Sequence, residues 1–319
     1  MVLNNRKVIK MDKIVALVLT YNRMQLLREC LENLVAQTAK CDILVVDNAS
    51  TDDTSKMVKE FIDNNRSRAN IKYINTGANL GGAGGFAFGM RKAVEMGYDY
   101  VWLMDDDTIP QKQALEKLVD AKNALGGKFG FLSSLVEWTD GSMCLMNKPL
   151  VSDKWWDKGN AIRDGYLAIS KGSFVSFFVS ADTIKQVGLP IKEFFIWFDD
   201  SEYSRRIIES GKTGYLVSES KVVHKMNNNN CVDIVSENGE RLERYKYAFR
   251  NRYYLCKDHG IKAHIKYYVF LFTTIAKIIL KSKDKKLKRI MIALTSTVSG
   301  WFFSPKIEYI DKRYRKAVK

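Results

Sequence analysis

Ile14-Val-Ala-Leu-Val-Leu19 runs without a polar residue into Thr20-Tyr21-Asn22-Arg23, and Ile43-Leu-Val-Val46 runs the same way into Asp47-Asn-Ala-Ser-Thr-Asp-Asp53. Short, wholly apolar runs rich in β-branched residues are strands buried on both faces, because a strand with one wet face would alternate. Between them Leu26, Leu27, Cys30, Leu31 and Leu34 recur at helical spacing, and Met57, Val58, Phe61 and Ile62 do so after the second run. Residues 71–74 and 100–104 are two further strands, with a helix from about residue 84 to 96 between them. The alternation predicts an α/β, Rossmann-like, mostly parallel central sheet with helices on both faces. Polar ligands of such sheets bind beyond the carboxyl ends of the strands. Those ends hold residues 20–23, 47–53, the glycine loop at 77–85 and Asp105 to Asp107, so the candidate chemistry falls on one edge.

The chain has 319 residues, 46% hydrophobic and 27% charged, an ordinary globular composition that excludes disordered, collagen-like and low-complexity architectures. Its net charge of +15 is concentrated: residues 241–319 carry 21 Lys and Arg against 5 Asp and Glu, while the other 240 residues carry 30 against 31. The chain therefore divides into a tail at 1–11, an α/β domain at 12–240 and a basic helical region at 241–319. A basic block of this kind selects an anionic surface. Two apolar runs, 267–280 and 290–303, are flanked by Lys281, Lys283, Lys285, Lys286, Lys288 and Arg289. Neither run reaches the ~18–20 residues that span a bilayer. They predict interfacial helices lying on an anionic membrane, with a helical subdomain bearing a solvated basic face as the alternative. The aromatics sit inside the apolar runs and are not interleaved with basic residues, which argues against nucleic acid. Five cysteines without a C-x-x-C and only three histidines give no zinc spacing and no disulfide framework, and predict reduced cytosolic thiols. The first apolar run is too short for a signal-peptide core.

Asp105-Asp106-Asp107 directly follows a buried strand. Three adjacent carboxylates repel one another unless a cation neutralises them, and an oxygen-rich set favours Mg²⁺ or Mn²⁺. A solvated acidic turn ahead of Pro110 is the structural alternative. Asn79-Leu80-Gly81-Gly82-Ala-Gly-Gly-Phe86 is a glycine-rich entry into a helix, where backbone N–H groups can approach a phosphate or sugar; tight helix–sheet packing accounts for it equally. Gly82-Ala-Gly84-Gly-Phe-Ala87 also fits the dinucleotide pattern G-x-G-x-x-A, but in the third strand–helix unit instead of the first.

After about residue 130 the alternation fades, with strand-like runs at 174–179 and 215–223. Phe195-Ile-Trp197-Phe198 leads into Asp199-Asp200-Ser-Glu202, which opens a helix to Ser210. Acids in a first turn suit the helix dipole, and partial burial by the aromatics would bring one of them toward the range of a general base. His224 closes the 215–223 run; alone it reads as structural, and beside an oxygen-rich metal site it becomes a candidate ligand.

In this order the motifs resemble those of family-2 glycosyltransferases with the GT-A fold, over about residues 12 to 255. The resemblance rests on Val-Leu-Thr20-Tyr-Asn22-Arg, Val-Val-Asp47-Asn-Ala-Ser-Thr-Asp and Asp105-Asp106-Asp107. The glycine block, Trp197-Phe-Asp199-Asp200-Ser-Glu202-Tyr and Arg250-Asn251 are similar to the galactofuranosyl- and rhamnosyl-transferase branch. The resemblance implies inverting, metal-dependent transfer from a nucleotide-sugar. Asp47 would contact the base, and Thr20 and Asn22 would line its pocket. Asp105 and Asp107, with His224, would hold Mn²⁺ or Mg²⁺ against the diphosphate, next to Asp106. Asp200 would be the general base, with Asp199 the neighbour that register alone does not separate from it, and Glu202 and Trp197 would position the acceptor. The implied donor is UDP-galactofuranose, with dTDP-rhamnose the alternative. The acceptor would be a polyprenyl-diphosphate-linked glycan of cell-surface polysaccharide synthesis, at the cytoplasmic face of the membrane. Relatives with the longest polymer products carry an N-terminal β-rich domain, and 1–11 is too short to build one, so addition of one or a few sugars is expected.

Two other readings stand beside it. An NAD-dependent oxidoreductase would use Gly82 and Gly84, although the three aspartates argue against it. A non-enzymatic protein would sense a nucleotide while its basic region docks to lipid or nucleic acid.

Overall fold

The computed structural model describes residues 12–237, 241–311 and 313–314; the predicted tail at 1–11 lies outside the described residues. The elements β1 (Ile14–Thr20), α1 (Met24–Val35), β2 (Asp42–Asp47), α2 (Thr54–Asn65), β3 (Ile71–Asn75), α3 (Gly81–Glu95) and β4 (Tyr100–Asp105) follow the predicted alternation. Strands β3, β2, β1 and β4 stand side by side in that order, all parallel. Their register sets the site: Thr20 lies opposite Asp47, Asp47 opposite Asn75, and Leu19 opposite Asp105.

Within β1, side chains alternate between two cores. Ala16 and Val18 join Leu27, Leu31, Val45, Phe61 and Trp102 on one face, while Val15, Leu17 and Leu19 join Val46, Phe86, Met90 and Leu103 on the other. Helices cover both faces, so no position of the strand is wet and the run is apolar throughout.

The second half continues with β5 (Thr108–Pro110), α4 (Ala114–Ala124), β6 (Phe131–Glu137), β7 (Leu150–Val151), α5 (Gly159–Arg163), β8 (Tyr166–Lys171), β9 (Phe177–Ser180), α6 (Ala181–Val187), α7 (Asp199–Glu209) and β10 (Gly214–His224). Beyond β4 the sheet order is β9, β6, β10, β8, β7, with β5 paired to β10. β9 runs antiparallel to both β4 and β6, β8 antiparallel to β10, and β7 antiparallel to β8. The sheet is thus mixed, where the sequence pattern predicted a mostly parallel one. Apolar periodicity reports that a strand is buried; it carries no record of the direction or neighbours of a strand lacking a crossover helix.

The basic region folds into α8 (Tyr245–Lys257), α9 (Gly260–Lys281) and α10 (Lys286–Phe302). They share their own core of Phe249, Tyr253, Tyr267, Leu271, Ile278 and Ala293. The chain then returns to the α/β domain: Leu189 N–H donates to the Glu308 carbonyl at 2.8 Å, and the Glu308 carboxylate meets Arg91 at 2.6 Å. At 22 residues α9 is long and apolar enough to cross a membrane, which corrects the expectation drawn from the apolar run alone. The helix starts upstream of that run, and its Tyr267, Leu271, Thr274 and Ile278 are buried.

The glycines of α3 show why that helix lies so close to the sheet. A Cβ on Gly85 would stand 2.4 Å from Leu19 Cδ1, and one on Gly89 would stand 2.6 Å from Leu17 Cδ1. Gly89→Leu is expected to lower stability by about 1–3 kcal/mol, the usual cost of overfilling a packed core. Gly159→Ala, whose added methyl meets no atom within 4 Å, should leave the urea unfolding midpoint unchanged or raised.

Candidate active site

The carboxyl ends of β1 to β4 gather most of the predicted residues. At the β2 end Asp47 is fully buried: Oδ1 accepts from Ser50 N–H at 2.8 Å, and Oδ2 from Tyr73 O–H at 2.5 Å and the Asn75 amide at 3.4 Å. Asn22 is left-handed at φ 54°, and its Oδ1 accepts from Thr51 N–H at 2.7 Å, which ties the β1 and β2 loops together. Asn79 Oδ1 accepts from Gly81 N–H at 2.9 Å at the entry to α3, and Asn48 Nδ2 donates to the Gly81 carbonyl. Gly82 follows in the first turn, partly exposed.

At the β4 end two of the three carboxylates are held by unlike partners. Thr20 O–H donates to Asp106 Oδ2 at 2.8 Å. Arg23 Nη1 bridges Asp106 Oδ1 at 3.3 Å and Asp107 Oδ2 at 2.5 Å. The antiparallel pairing of β5 with β10 sets His224 opposite Thr108 and so brings its Nε2 to 3.2 Å from Asp107 Oδ1. Burial, reinforced by Asp107, raises the Asp105 carboxyl to about 7; burial only partly offset by Arg23 raises Asp106 to about 6. Burial also opposes the charge on Asp107, yet the close contact and charge of His224 and the Arg23 guanidinium hold it below the usual carboxylate range. His224 is lifted to about 10: burial works against its proton, and contacts with Asp107 and Cys144 outweigh that.

This edge carries more buried negative charge than its own cations neutralise. Asp107 Oδ1 is buried without a well-formed hydrogen bond. Among the described residues no three Asp, Glu, His or Cys side chains form a ready-made metal cage. A Mg²⁺-type ion does not require such a cage, since it takes one or two carboxylates and completes its shell from substrate phosphates and water. Asp105, Asp107 and His224 are the groups able to contribute.

The motif at 197–202, expected to face an acceptor, lies near enough to this edge for the Asp105 charge to act on Asp199. Trp197 and Phe198, at φ 66° and 67°, lead into α7, and Phe195 at φ 63° and ψ −56° centres a γ-turn in which Ile196 N–H meets the Phe194 carbonyl at 2.7 Å. Left-handed conformations of bulky residues cost of order 1–3 kcal/mol each and persist only where the surroundings impose them. Gly81, itself at φ 72°, leaves room for this loop: a Cβ there would stand 2.3 Å from the Phe195 carbonyl oxygen. Asp199 is buried, and burial followed by the charge of Asp200 holds its carboxyl well above the usual range. Asp200 is part-exposed, with Oδ1 accepting from Ser201 N–H at 2.6 Å.

Glu202 stands apart from these. It is buried and paired with Arg206 through contacts of 2.9 and 2.6 Å, and Arg206 also donates to the Val187 and Leu189 carbonyls. Its carboxylate holds α7 to the α6 loop, a different partner from the acceptor suggested by the motif.

Residues 16–127 match the family model Glycosyl transferase family 2. Residues 16–127 thus carry a family 2 glycosyltransferase domain, and the fold is GT-A-like. This glycosyltransferase is 27% identical to the galactofuranosyltransferase GlfT1 of Mycolicibacterium smegmatis over 277 residues, covering 79% of this chain and 85% of that protein. GlfT1 of Mycobacterium tuberculosis H37Rv is also 27% identical, over 271 residues, 79% of this chain and 84% of the relative. Among solved structures, mannosyltransferase PcManGT from Pyrobaculum calidifontis, in complex with GDP-Man and Mn²⁺, superposes with a TM-score of 0.55 at 17% identity, covering 97% of this chain and 84% of that one. S. aureus TarS gives 0.52 at 14% identity, covering 91% and 72%.

Several residues of the glycosyltransferase site carried no sequence signal. Asn147 Oδ1 lies 2.7 Å from His224 Nδ1, and its amide donates to Ser173 Oγ at 2.8 Å. It comes from an irregular loop between β6 and β7, where no periodicity marks one polar residue above another. Tyr73 sits on β3, two residues before Asn75, and the alternation of that strand could have pointed to it. The Glu202–Arg206 pair yields a test: Glu202→Ala should cost about 3–5 kcal/mol of unfolding free energy, because it leaves a buried guanidinium uncompensated. Glu202→Leu combined with Arg206→Met should recover part of that loss in urea unfolding.

Proposed function

We propose that this enzyme is an inverting galactofuranosyltransferase that moves galactofuranose from UDP-galactofuranose to a lipid-linked glycan at the cytoplasmic membrane face. The observation that supports it most is the GlfT1 likeness along 79% of the chain, combined with the carboxylate edge. A dTDP-rhamnose donor is the alternative, since the glycine block is similar to both branches. The α/β domain at 12–240 would carry the chemistry and 241–319 the membrane contact.

Asp105, Asp107 and His224 would hold Mn²⁺ or Mg²⁺, and such an ion neutralises the charge that gathers on a departing diphosphate. Asp47 would order the Ser50 amide and Tyr73 hydroxyl that border the nucleotide pocket, with Thr20 and Asn22 beside them. Gly81 and Gly82 would offer backbone to the donor, with Asn79 shaping the turn. Asp106, held by Thr20 and Arg23, would fix the floor of the pocket. An alcohol is a poor nucleophile at neutral pH, so Asp200 takes the proton from the acceptor hydroxyl as that oxygen bonds to the anomeric carbon. The bond from that carbon to the diphosphate oxygen breaks on the opposite face, which inverts the centre. Asp199 is buried, and burial with the charge of Asp200 pushes its carboxyl well above the usual range, so the part-exposed Asp200 is the acid an acceptor would reach. Trp197, with its ring 5.0 Å from Tyr245, would wall the acceptor side.

Membrane attachment is supported by apolar side chains on the open faces of two adjacent helices. Val269, Phe272 and Ile279 of α9, and Leu294, Val298 and Trp301 of α10, are exposed, with Lys283, Lys285, Lys286 and Lys288 at the turn between the helices. That combination suits the interface of an anionic bilayer.

UDP with Mn²⁺ at a hundredfold its dissociation constant should stabilise the protein by about 2.7 kcal/mol, and EDTA should abolish the thermal shift. A shift with dTDP instead moves the donor to rhamnose, and a metal-independent shift with NAD alone overturns the transferase reading. Asp107→Ala and Asp200→Ala should each abolish transfer at least 10²-fold, with only Asp107→Ala losing the metal-dependent shift. Phe272→Glu with Val298→Glu should release the protein from anionic liposomes in a co-sedimentation assay without changing UDP affinity.

A further inference from the structure

We propose that Asn251 of α8 is a positioning residue for the acceptor-side base, holding the left-handed loop 194–198 in place and so setting where α7 begins. The inference rests on the assignment of Asp200 above and goes beyond it, because it places part of the catalytic apparatus in the basic helical region.

Asn251 is fully buried, and its amide nitrogen reaches three carbonyls of one loop: Phe194 at 3.0 Å, Ile196 at 3.2 Å and Trp197 at 3.0 Å. A side-chain amide has two N–H donors, so three acceptors saturate it. Its Oδ1 accepts from Arg250 Nε at 3.0 Å and Nη2 at 2.9 Å, which fixes the orientation of the amide. Arg250 also donates to the Glu193 carbonyl.

Those carbonyls belong to a turn that the backbone does not favour. Phe195, Trp197 and Phe198 are all at positive φ without being glycine, and the turn ends at Asp199. The same helix supplies ring support, with Tyr247 stacked on Phe195 at 4.8 Å and Tyr245 against Trp197 at 5.0 Å. On its other side the loop meets the α3 entry, where Ala83 N–H donates to the Phe195 carbonyl at 3.2 Å. Removing the Asn251 amide takes the side-chain donor from the Ile196 and Trp197 carbonyls, while Phe194 keeps the Ile196 N–H, and lets φ at 195–198 relax, which displaces Asp200 relative to the Asp105–Asp107 edge. A displacement of about 1 Å at a reacting group costs roughly 10²-fold in rate.

The position of α8 depends in turn on the helices behind it. Tyr267 O–H of α9 contacts the Phe249 carbonyl at 3.2 Å and Thr297 Oγ1 of α10 at 2.6 Å. A Cβ on Gly300 of α10 would stand 2.9 Å from Tyr253 Cβ. Base placement and the exposed apolar faces therefore belong to one packed unit.

The test uses the full chain with Asn251→Ala, and with Arg250→Ala, which frees the amide without emptying its site and serves where Asn251→Ala does not fold. Hydrogen–deuterium exchange at 195–200 should rise at least tenfold, with protection in β1 and β4 unchanged. Titration with UDP and Mn²⁺ should give a dissociation constant within twofold of wild type, and kcat for transfer should fall about 10²-fold with the donor KM unchanged. Unchanged exchange at 195–200, exchange raised throughout the core, or wild-type kcat would each overturn the proposal. A wild-type chain inert toward every sugar donor would overturn the transferase reading instead, and is distinguishable because the exchange measurement needs no substrate.

Discussion

The organising constraint is the burial of negative charge at the ends of strands that are themselves wholly buried. A parallel strand covered by helices on both faces has no wet position until it leaves the sheet, so polar groups collect where it leaves. Asp47 and Asp105–Asp107 stand there within one or two residues of apolar core. Their charges are expensive to hold, and each has been matched in a different way: Asp47 by neutral donors, Asp106 and Asp107 by Arg23, Asp107 again by His224. Among the described residues Asp105 receives no such direct partner, and burial, reinforced by the Asp107 charge, raises its carboxyl.

The mixed half of the sheet completes that edge. His224 reaches Asp107 because the end of β10 pairs antiparallel with β5 while still pairing parallel with β6, past a register shift between Val217 and Lys221. The bulge takes up the polar stretch 218–221 as an irregularity within one strand. The glycines of α3 perform a related service. Gly85 and Gly89 let the helix settle on Leu19 and Leu17, while Gly81 admits the backbone of the loop that leads into α7. The two accounts of the glycine block, close packing and open backbone, apply to different residues of it.

The basic C-terminal region has two faces with different tasks. One presents apolar side chains and lysines outward, and the other delivers Tyr245, Tyr247, Arg250 and Asn251 to the loop before Asp199. Residues 303–310 return to the α/β domain and anchor through Glu308, so the two parts share backbone as well as side-chain contacts.

The sequence by itself determined the parallel half of the sheet, its helices and the edge on which the chemistry lies. Those features arise from local periodicity and from strand ends, and both are written along the chain. Only the tertiary structure decided which acids are available. Asp200 and Glu202 are two residues apart in one motif, yet one is part-exposed and the other is locked to Arg206, because helical geometry turns them to different faces. It also decided that Asn147 meets His224 across 77 residues and that Asn251 holds carbonyls some 55 positions upstream. Contacts of that span depend on how separate elements pack, and no local pattern records them.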